Sequence, residues 1–315
     1  MGGNVFDSTS PIKKEHIKPT LEEFYKELSR VFPKAETYFS DSQMEKLGSV
    51  GKKDYSGDID LALSFSAFKN IKNWGLDKNH IDQLFEKFAK RATKATKETL
   101  DTKATKEKLT KRAIITAMGE KIEEQSDILK IDLKSSAAGS IFFAFPQFDE
   151  QGNEIGKNVQ IDVNVGDVDW LSFAYYSDEY KDNVKGLHRT QLMLSLFLIK
   201  GYSFSHNSGV TNKQTKKIVA RNSKKAIELL NRLYGFKLDS ETLQNYFELQ
   251  KFLRSNLSKE ELNKLYSAYI MILDRTRADI PLDLQNFWIK NQERLGLKGK
   301  FLPNDSKLKQ YATVQ

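Results

Sequence analysis

The sequence predicts an α+β fold in which a small mixed or antiparallel sheet in residues 1–184 is followed by an all-helical domain in residues 185–315. Before residue 166, several segments carry an apolar residue at every second position, namely DIDLALSF, ILKIDLK and VQIDVNV. Such alternation is typical of a strand with one buried face. From about residue 185 to near residue 295 the apolar residues recur at helical spacing instead.

The elements of the first domain follow in order along the chain. The segment TLEEFYKELSRVF predicts a helix, with Thr20 and Glu23 as a capping box at its start. A short strand, MEKLG, comes before a glycine-containing turn and the strand DIDLALSF. Residues 78–124 predict a Lys-rich helical insertion, solvated or mobile in its middle. The strands IFFAFPQF and VQIDVNV are separated by a turn-rich link, which indicates an antiparallel hairpin.

Composition excludes several classes of protein. With 315 residues, 39% of them apolar and 11% aromatic, the chain is long and apolar enough to bury a core and is not a disordered chain. The absence of cysteine excludes a disulfide framework, a thiolate zinc site and a cysteine nucleophile. No apolar run approaches the roughly 20 residues that a membrane helix needs, and the first residues have no apolar signal core. We therefore expect a soluble, cytoplasmic protein without a membrane partner.

Positive charge is concentrated in two segments. The formal net charge is +8, yet residues 86–112 hold ten Lys or Arg against four acids, and residues 211–225 hold six bases and no acid. These two basic clusters together exceed the net charge of the whole chain. Clustering of this kind favours binding of a polyanion such as nucleic acid. The alternative is that both segments are solvated helix faces, which is how most Lys-rich runs are used.

Three aspartates carry the strongest chemical signal. Asp58 and Asp60 are two residues apart in a predicted strand, so their carboxylates point to the same side and repel each other unless a cation lies between them. Oxygen ligands of this kind suit Mg²⁺ or Mn²⁺. Asp162 lies opposite the apolar face of its own strand and becomes a third carboxylate if the two strands pair. Asp132 is the alternative third carboxylate, although Lys130 and Lys134 on its face favour a surface ion-pair ladder.

The order of these features resembles the DNA polymerase β-type nucleotidyltransferase superfamily. That family combines Gly-Ser after a strand, Asp-x-Asp about ten residues later and a third Asp on a separate strand. The corresponding segments here are LGSVGKKDYSGDIDLAL and VQIDV. The resemblance implies that Gly48 and Ser49 contact the phosphates of an NTP. It further implies that Asp58, Asp60 and Asp162 hold two divalent ions, Mg²⁺ or Mn²⁺, as catalytic and metal-binding residues.

The same resemblance implies that the helical domain closes over the nucleotide. In LIKGYSFSHNSG and the basic stretch behind it, a lysine would neutralise triphosphate charge, a hydroxyl would bond to it, and a tyrosine would stack on the base. The candidates in this role are Lys200, Tyr202, Ser203, Lys213 and Lys217. The structural alternative for each of them is a helix end followed by a polar loop.

The acceptor is the least determined part of the predicted reaction. The two basic clusters favour the 3′ end of an RNA, because phosphate contacts supply affinity that is independent of sequence. Synthesis of a cyclic or linear oligonucleotide, and transfer of NMP to a protein or small molecule, are alternatives that use the same motif. An alternative of another class is a non-catalytic nucleic-acid-binding protein on this scaffold.

Overall fold

The chain forms two compact units, Met1–Ser172 and Phe173–Gln315. The structure is a computed structural model and describes residues 5–96, 103–134, 139–176, 186–276 and 278–296. The predicted boundary at residue 184 lies outside the described residues, and the division between the units comes before it. The middle of the Lys-rich segment, residues 97–102, also lies outside them.

The first unit combines seven strands and five helices within its described residues. Its strands are β1 Ile12–Lys13, β2 Met44–Lys46, β3 Tyr55–Ser56, β4 Ile59–Ser64, β5 Lys130–Asp132, β6 Ser140–Phe148 and β7 Glu154–Gly166. Its helices are α1 Lys14–Val31, α2 Phe65–Phe68, α3 Lys78–Thr96 and α4 Lys103–Gln125, with α5 Val168–Ala174 at the junction with the second unit. A 3₁₀ turn at Pro33–Tyr38 follows α1.

A five-stranded sheet with the order β2-β4-β7-β6-β5 organises the first unit. Its strands pair antiparallel except for β4 and β7, which are parallel, so the prediction of a small mixed sheet in an α+β fold is confirmed. The predicted β6–β7 hairpin is present and antiparallel. The alternating apolar residues of β4 and β7 are fully buried on one face, among them Ile59, Leu61, Ile161 and Val163.

Helices α1, α3 and α4 supply the rest of that core. Phe24 of α1 packs edge-on against Phe143 and Phe145 of β6, with ring centroids 5.4 Å apart in both pairs. The Lys-rich segment is helical, and α4 contributes the buried residues Ala113, Ile114, Ile115, Met118 and Ile122 to the same core. These residues make α4 a structural part of the unit, because its second half, AIITAMGEKI, is buried on most sides and contains one lysine, whereas the lysine-rich part is its first half.

Helix α1 begins six residues before the predicted capping box, so that prediction is wrong. Thr20 is a buried interior residue of α1, and its hydroxyl accepts a hydrogen bond from the Phe148 backbone N–H at 2.9 Å. The same hydroxyl donates to the Phe148 carbonyl at 3.4 Å. Thr20 therefore satisfies both backbone groups of Phe148, just after the irregularity in β6–β7 pairing between Pro146 and Phe148.

The second unit contains most of the predicted helices and one small sheet. Its helices are α6 Gly186–Ile199, α7 Ser223–Tyr234, α8 Ser240–Gln244, α9 Tyr246–Asn256, α10 Lys259–Thr276 and α11 Gln285–Asn291, with a 3₁₀ turn at Leu282–Leu284. Between α6 and α7 the strands β8 Tyr202–Ser205, β9 Gly209–Asn212 and β10 Ile218–Ala220 form an antiparallel sheet. This sheet corrects the expectation of an all-helical domain.

Local chemistry explains where this small sheet turns and where the next helix starts. Asn212 ends β9, and its side-chain oxygen accepts hydrogen bonds from the backbone N–H groups of Gln214 and Thr215. Such a turn reverses the chain into β10. Asn222 then caps α7 by accepting from the Lys225 N–H, and Gly235 ends that helix at φ 70°. No helix in the described part of the chain is both long and apolar enough to cross a bilayer.

Candidate active site

Asp60 and Asp162 face each other across two neighbouring strands. They are register partners in the parallel pair β4–β7. Neighbouring strands are about 4.8 Å apart, and paired residues direct their side chains to the same face of the sheet. That face lies opposite the apolar core. Asp58, immediately before β4, belongs to the same side two residues away, and its charge acts on both partners.

The electrostatics of this pair show the cost of keeping two acids together. Burial, followed by the charges of Asp58 and Asp162, raises the pKa of Asp60 well above its ordinary value. Burial likewise raises the pKa of Asp162 to about 7, against a hydrogen bond from Gln160 that lowers it, and the charge of Asp58 adds to the rise. Asp162 is 8% exposed. A cation beside these carboxylates would relieve the repulsion.

The predicted phosphate-binding turn adjoins the aspartate pair. It follows β2, and the Leu47 N–H donates to the Asp60 carbonyl at 2.9 Å, which ties the start of the turn to the middle of the site. Gly48 has φ 63° and Gly51 has φ 74°, a left-handed conformation that side chains disfavour. Ser49 lies between them and is half-buried. The turn therefore brings Gly48 and Ser49 next to Asp60.

Asp132 lies in register with Asp60 and Asp162 across the sheet, but farther from Asp60 than Asp162 does. It pairs with Phe142 of β6, and Phe142 in turn pairs with Asp162. Two strand spacings, roughly 10 Å, therefore separate Asp132 from Asp162. Asp132 also accepts a hydrogen bond from the Lys134 N–H at 2.7 Å, which is the chemistry of a turn residue. The fold thus brings Asp162, rather than Asp132, alongside Asp60.

Three polar residues that the sequence motif does not include surround the aspartates. Gln160 and Asn164 flank Asp162 on its own face of β7, and both are 2% exposed. Gln160 donates to Asp162 Oδ1 at 2.7 Å, and Asn164 donates to Asp60 Oδ1 at 3.4 Å. Ser140 of β6 donates to Asn164 Oδ1 at 2.7 Å. The period-two pattern of QIDVN already placed both amides beside Asp162 and was the available signal.

A divalent ion fits the chemistry of this face. No three His, Asp or Glu side chains within the described residues come together as a ready-made metal cage. Mg²⁺, however, is usually bound through one or two carboxylates together with substrate phosphates and water. A facing carboxylate pair beside a glycine-containing turn matches that requirement, with Asp58 as the adjacent third carboxylate.

The residues predicted to contact the nucleotide from the helical domain all lie in the second unit. Lys200 Nζ lies 4.3 Å from the centre of the Tyr234 ring and 3.8 Å from Glu261 Oε1. Tyr202 and Ser203 belong to β8, and the Ser203 hydroxyl donates to the Thr211 carbonyl at 3.4 Å. Lys213 and Lys217 are exposed near the β9–β10 turn. Their contact with a nucleotide stays a prediction.

The two basic clusters differ in how their charges are used. In residues 86–112, Lys111 is buried and donates to the Val165 carbonyl at 3.0 Å, and Arg112 lies over the Phe88 ring at 4.3 Å. In residues 211–225, all six basic side chains are exposed, namely Lys213, Lys216, Lys217, Arg221, Lys224 and Lys225. The other described bases of residues 86–112 are exposed as well. Acids are interspersed among them, however, whereas residues 211–225 contain none, so the second cluster is the more uniformly positive.

The sequence and the fold were compared with known proteins. No family model matches the sequence, and no curated protein matches it. Among solved structures, the fold is similar to Leishmania infantum polymerase beta in a ternary P/T complex, with 11% identity, a TM-score of 0.40, and coverage of 76% of this chain and 78% of that chain. A similarity of this size assigns the chain to no family.

Proposed function

We propose that this protein is a nucleotidyltransferase that moves a nucleoside monophosphate from an NTP to a hydroxyl acceptor. The observation that carries the proposal is the β4–β7 register, which sets Asp60 opposite Asp162 with Asp58 adjacent. Burial, together with the charge of Asp58, raises the pKa values of Asp60 and Asp162, and a bound cation would favour their ionised forms. The adjoining Gly48-Ser49 turn supplies backbone N–H groups and a hydroxyl suited to phosphate oxygens.

In the proposed reaction, the chain's own groups position the reactants and stabilise charge. The turn at Gly48 and Ser49 orients the triphosphate. The acceptor oxygen forms a bond to the α-phosphorus while the bond from that phosphorus to the bridging oxygen breaks, and pyrophosphate leaves with the electron pair. The acceptor's proton passes to the Asp162 carboxylate. Two divalent ions held by Asp58, Asp60 and Asp162 would activate the acceptor oxygen and neutralise the leaving group.

The acceptor we propose is the 3′ end of an RNA. The six exposed bases of residues 211–225 support this choice, because exposed Lys and Arg neutralise phosphates without reading sequence. The acids interspersed in residues 86–112 and the burial of Lys111 make that segment a weaker part of such a surface. Lys200, Tyr202 and Ser203 are proposed to contact the NTP.

The proposal is tested by incubating the protein with each labelled NTP and Mg²⁺ or Mn²⁺, with and without a mixed RNA pool. Pyrophosphate together with extended RNA is the expected result. Pyrophosphate without an RNA acceptor would replace this acceptor with oligonucleotide synthesis. The absence of turnover with any NTP and acceptor would contradict the proposal and leave a binding protein.

Substitution of the aspartates provides the residue-level test. Asp58→Asn and Asp60→Asn are each expected to abolish turnover while the fold is retained, because each removes charge needed by the cation and relieves repulsion in its absence. Asp132→Asn is the matched control, an aspartate in the same row of the sheet two strands from Asp162. It should keep the rate and change the stability by no more than about 0.5 kcal/mol. Normal turnover in either of the first two variants contradicts the assignment.

A further inference from the structure

The amide side chains beside the aspartates are themselves fixed at both ends. Gln160 receives a hydrogen bond from the Val5 backbone N–H at its oxygen and donates from its nitrogen to Asp162 Oδ1. Asn164 receives a hydrogen bond from the Ser140 hydroxyl at its oxygen and donates from its nitrogen to Asp60 Oδ1. The Val5 N–H can only donate, so it fixes which end of the Gln160 amide faces Asp162. The Ser140 hydroxyl can donate or accept, so the Asp60 carboxylate, an acceptor, determines the orientation of Asn164 and Ser140 completes its hydrogen bonding.

We propose that Gln160 and Asn164 are positioning residues that set the carboxylates of Asp162 and Asp60 for a divalent cation. This inference rests on the proposed function and concerns the same site. A hydrogen bond to one carboxylate oxygen fixes the rotation of that side chain. Partners of this kind around metal-binding carboxylates hold their ligands in orientation, and their loss typically weakens metal binding by 10–100-fold.

The absence of charge on the amide side chains is important for cation binding. A lysine or arginine at either position would also hold a carboxylate, but its positive charge would compete with the cation for the same acid. A neutral amide donates a hydrogen bond without that competition. Burial strengthens both bonds, since each amide is 2% exposed and water is largely excluded from it.

The geometry of β7 places Gln160 and Asn164 on the same face of the sheet as Asp162. Gln160 and Asn164 lie two residues before and after Asp162, so the three side chains share one face of β7. Gln160 acts along its own strand on Asp162, whereas Asn164 acts across to Asp60 on β4. Gln160 therefore holds the Asp162 carboxylate and Asn164 holds the Asp60 carboxylate, from positions on either side of Asp162 along β7. Ser140 of β6 in turn holds Asn164.

The test measures Mn²⁺ binding by isothermal titration to the full chain without nucleotide. Gln160→Ala and Asn164→Ala are each expected to weaken Mn²⁺ binding by about tenfold or more. Ser140→Ala, a milder change that removes only the hydroxyl holding Asn164, should weaken it by a smaller factor in the same direction. In the turnover assay, the Mg²⁺ concentration for half-maximal rate should rise, while the KM for NTP at saturating Mg²⁺ stays within twofold of the wild-type value.

Gln147→Ala is the matched control. Gln147 is also a buried amide of this sheet, but its nitrogen donates to the backbone carbonyls of Ser10, Pro11 and Asn158 and to the Ser10 hydroxyl. Its loss should lower the melting temperature and leave Mn²⁺ affinity unchanged. The positioning role is overturned if folded Gln160→Ala, Asn164→Ala and Ser140→Ala all bind Mn²⁺ as the wild type does, or if Gln147→Ala weakens binding equally.

The two proposals fail in different ways. If the wild type binds Mn²⁺ and the amide variants bind it more weakly, the positioning role stands even when no NTP is turned over, and only the proposed reaction is lost. If the wild type turns over NTP and the variants keep its metal dependence, the reaction stands and the positioning role is overturned. A wild-type protein that does not bind Mn²⁺ overturns the positioning role outright.

Discussion

At the scale of single residues, Asp162 combines burial with an unfavourable charge environment. Its pKa is raised to about 7, chiefly by burial and also by the charge of Asp58. The neighbouring Asp60 is raised for the same reasons. Carboxyls in this state prefer their protonated form in the folded protein. The acidic face, formed by Asp58, Asp60 and Asp162, therefore reduces the stability of the fold at neutral pH when no cation is present. Such residues are characteristic of functional sites.

The pH dependence of stability follows from the sign of this shift. Raising the pH from about 4 to 7 deprotonates Asp162 in the unfolded chain before the folded one, so the free energy of unfolding falls over that window. The loss attributable to this residue is at most about 4 kcal/mol. Asp162→Asn cannot ionise, so it should be more stable relative to wild type at pH 8 than at pH 4.

Urea unfolding of both proteins at these two pH values, without divalent ions, measures the effect. A difference between wild type and variant that does not change with pH would show that the raised pKa of Asp162 is incorrect. Addition of Mn²⁺ at pH 8 should restore stability to the wild type and not to Asp162→Asn.

At the scale of elements, the contact between α1 and β6 depends on one hydroxyl. Thr20 satisfies both the N–H and the carbonyl of Phe148. Thr20→Val keeps the shape of the side chain but leaves these partly buried backbone groups without that partner, so we expect a loss of about 0.5–1.5 kcal/mol in the free energy of unfolding.

Thr116→Val of α4 is the control for this change, because the Thr116 hydroxyl donates only to the Arg112 carbonyl within its own helix. Urea denaturation at constant pH compares the two variants. An equal effect of both substitutions would mean that the α1–β6 hydrogen bonds contribute nothing beyond an ordinary helix threonine.

The β9–β10 hairpin is the element that tests the nucleic-acid partner. Changing Lys213, Lys216 and Lys217 together to Gln should flatten the salt dependence of RNA binding by about two to three contacts, at roughly 0.7 in slope for each contact with a single strand. If the segment holds the triphosphate instead, the KM for NTP rises and the RNA slope stays constant.

A charge-matched control is available in the same unit. Lys237, Lys251 and Lys259 are exposed and lie outside the hairpin, so their joint replacement by Gln makes the same change in net charge. Fluorescence anisotropy with a single-stranded RNA at several salt concentrations gives both slopes. Equal flattening by the two triple variants would show a response to net charge alone and would remove the hairpin as a specific surface.

At the scale of the whole molecule, two units with separate cores predict more than one unfolding transition. Ile161→Ala removes a fully buried side chain from the first unit, and Leu196→Ala removes one from the second. Each should lower one transition in differential scanning calorimetry, at a cost of about 2–5 kcal/mol, and leave the other nearly unchanged. A single transition shifted equally by both variants would show that the units unfold together.

The sequence was sufficient where one face of an element carries a regular pattern. Strands β4 and β7 were predicted from period-two alternation, and their buried residues Ile59, Leu61, Ile161 and Val163 are those of that pattern. The pattern could not reveal that β4 and β7 are parallel neighbours, since pairing depends on contacts about a hundred residues apart in the chain. The predicted adjacency of Asp162 to Asp60 was conditional on that pairing.

The failures also have physical causes. Thr20 has the residue type of a helix cap, but tertiary hydrogen bonds to Phe148 place it inside α1. The first two strands of the sheet β8–β10, YSFS and GVTN, are short and contain Ser, Asn and Gly, residues that are also common in loops. Lys111 belongs to a basic run and is nevertheless buried, because its ammonium group donates to the Val165 carbonyl.

The parallel pairing of β4 with β7 also has a consequence for how the chain is made. The chain between these strands contains α2, α3, α4, β5 and β6, so the ribosome must release all of them before Asp162 reaches Asp60. Closing so long a loop is slow compared with forming a helix. The acidic face is therefore assembled late in synthesis, and a nascent chain that stops before β7 carries Asp58 and Asp60 without their third partner.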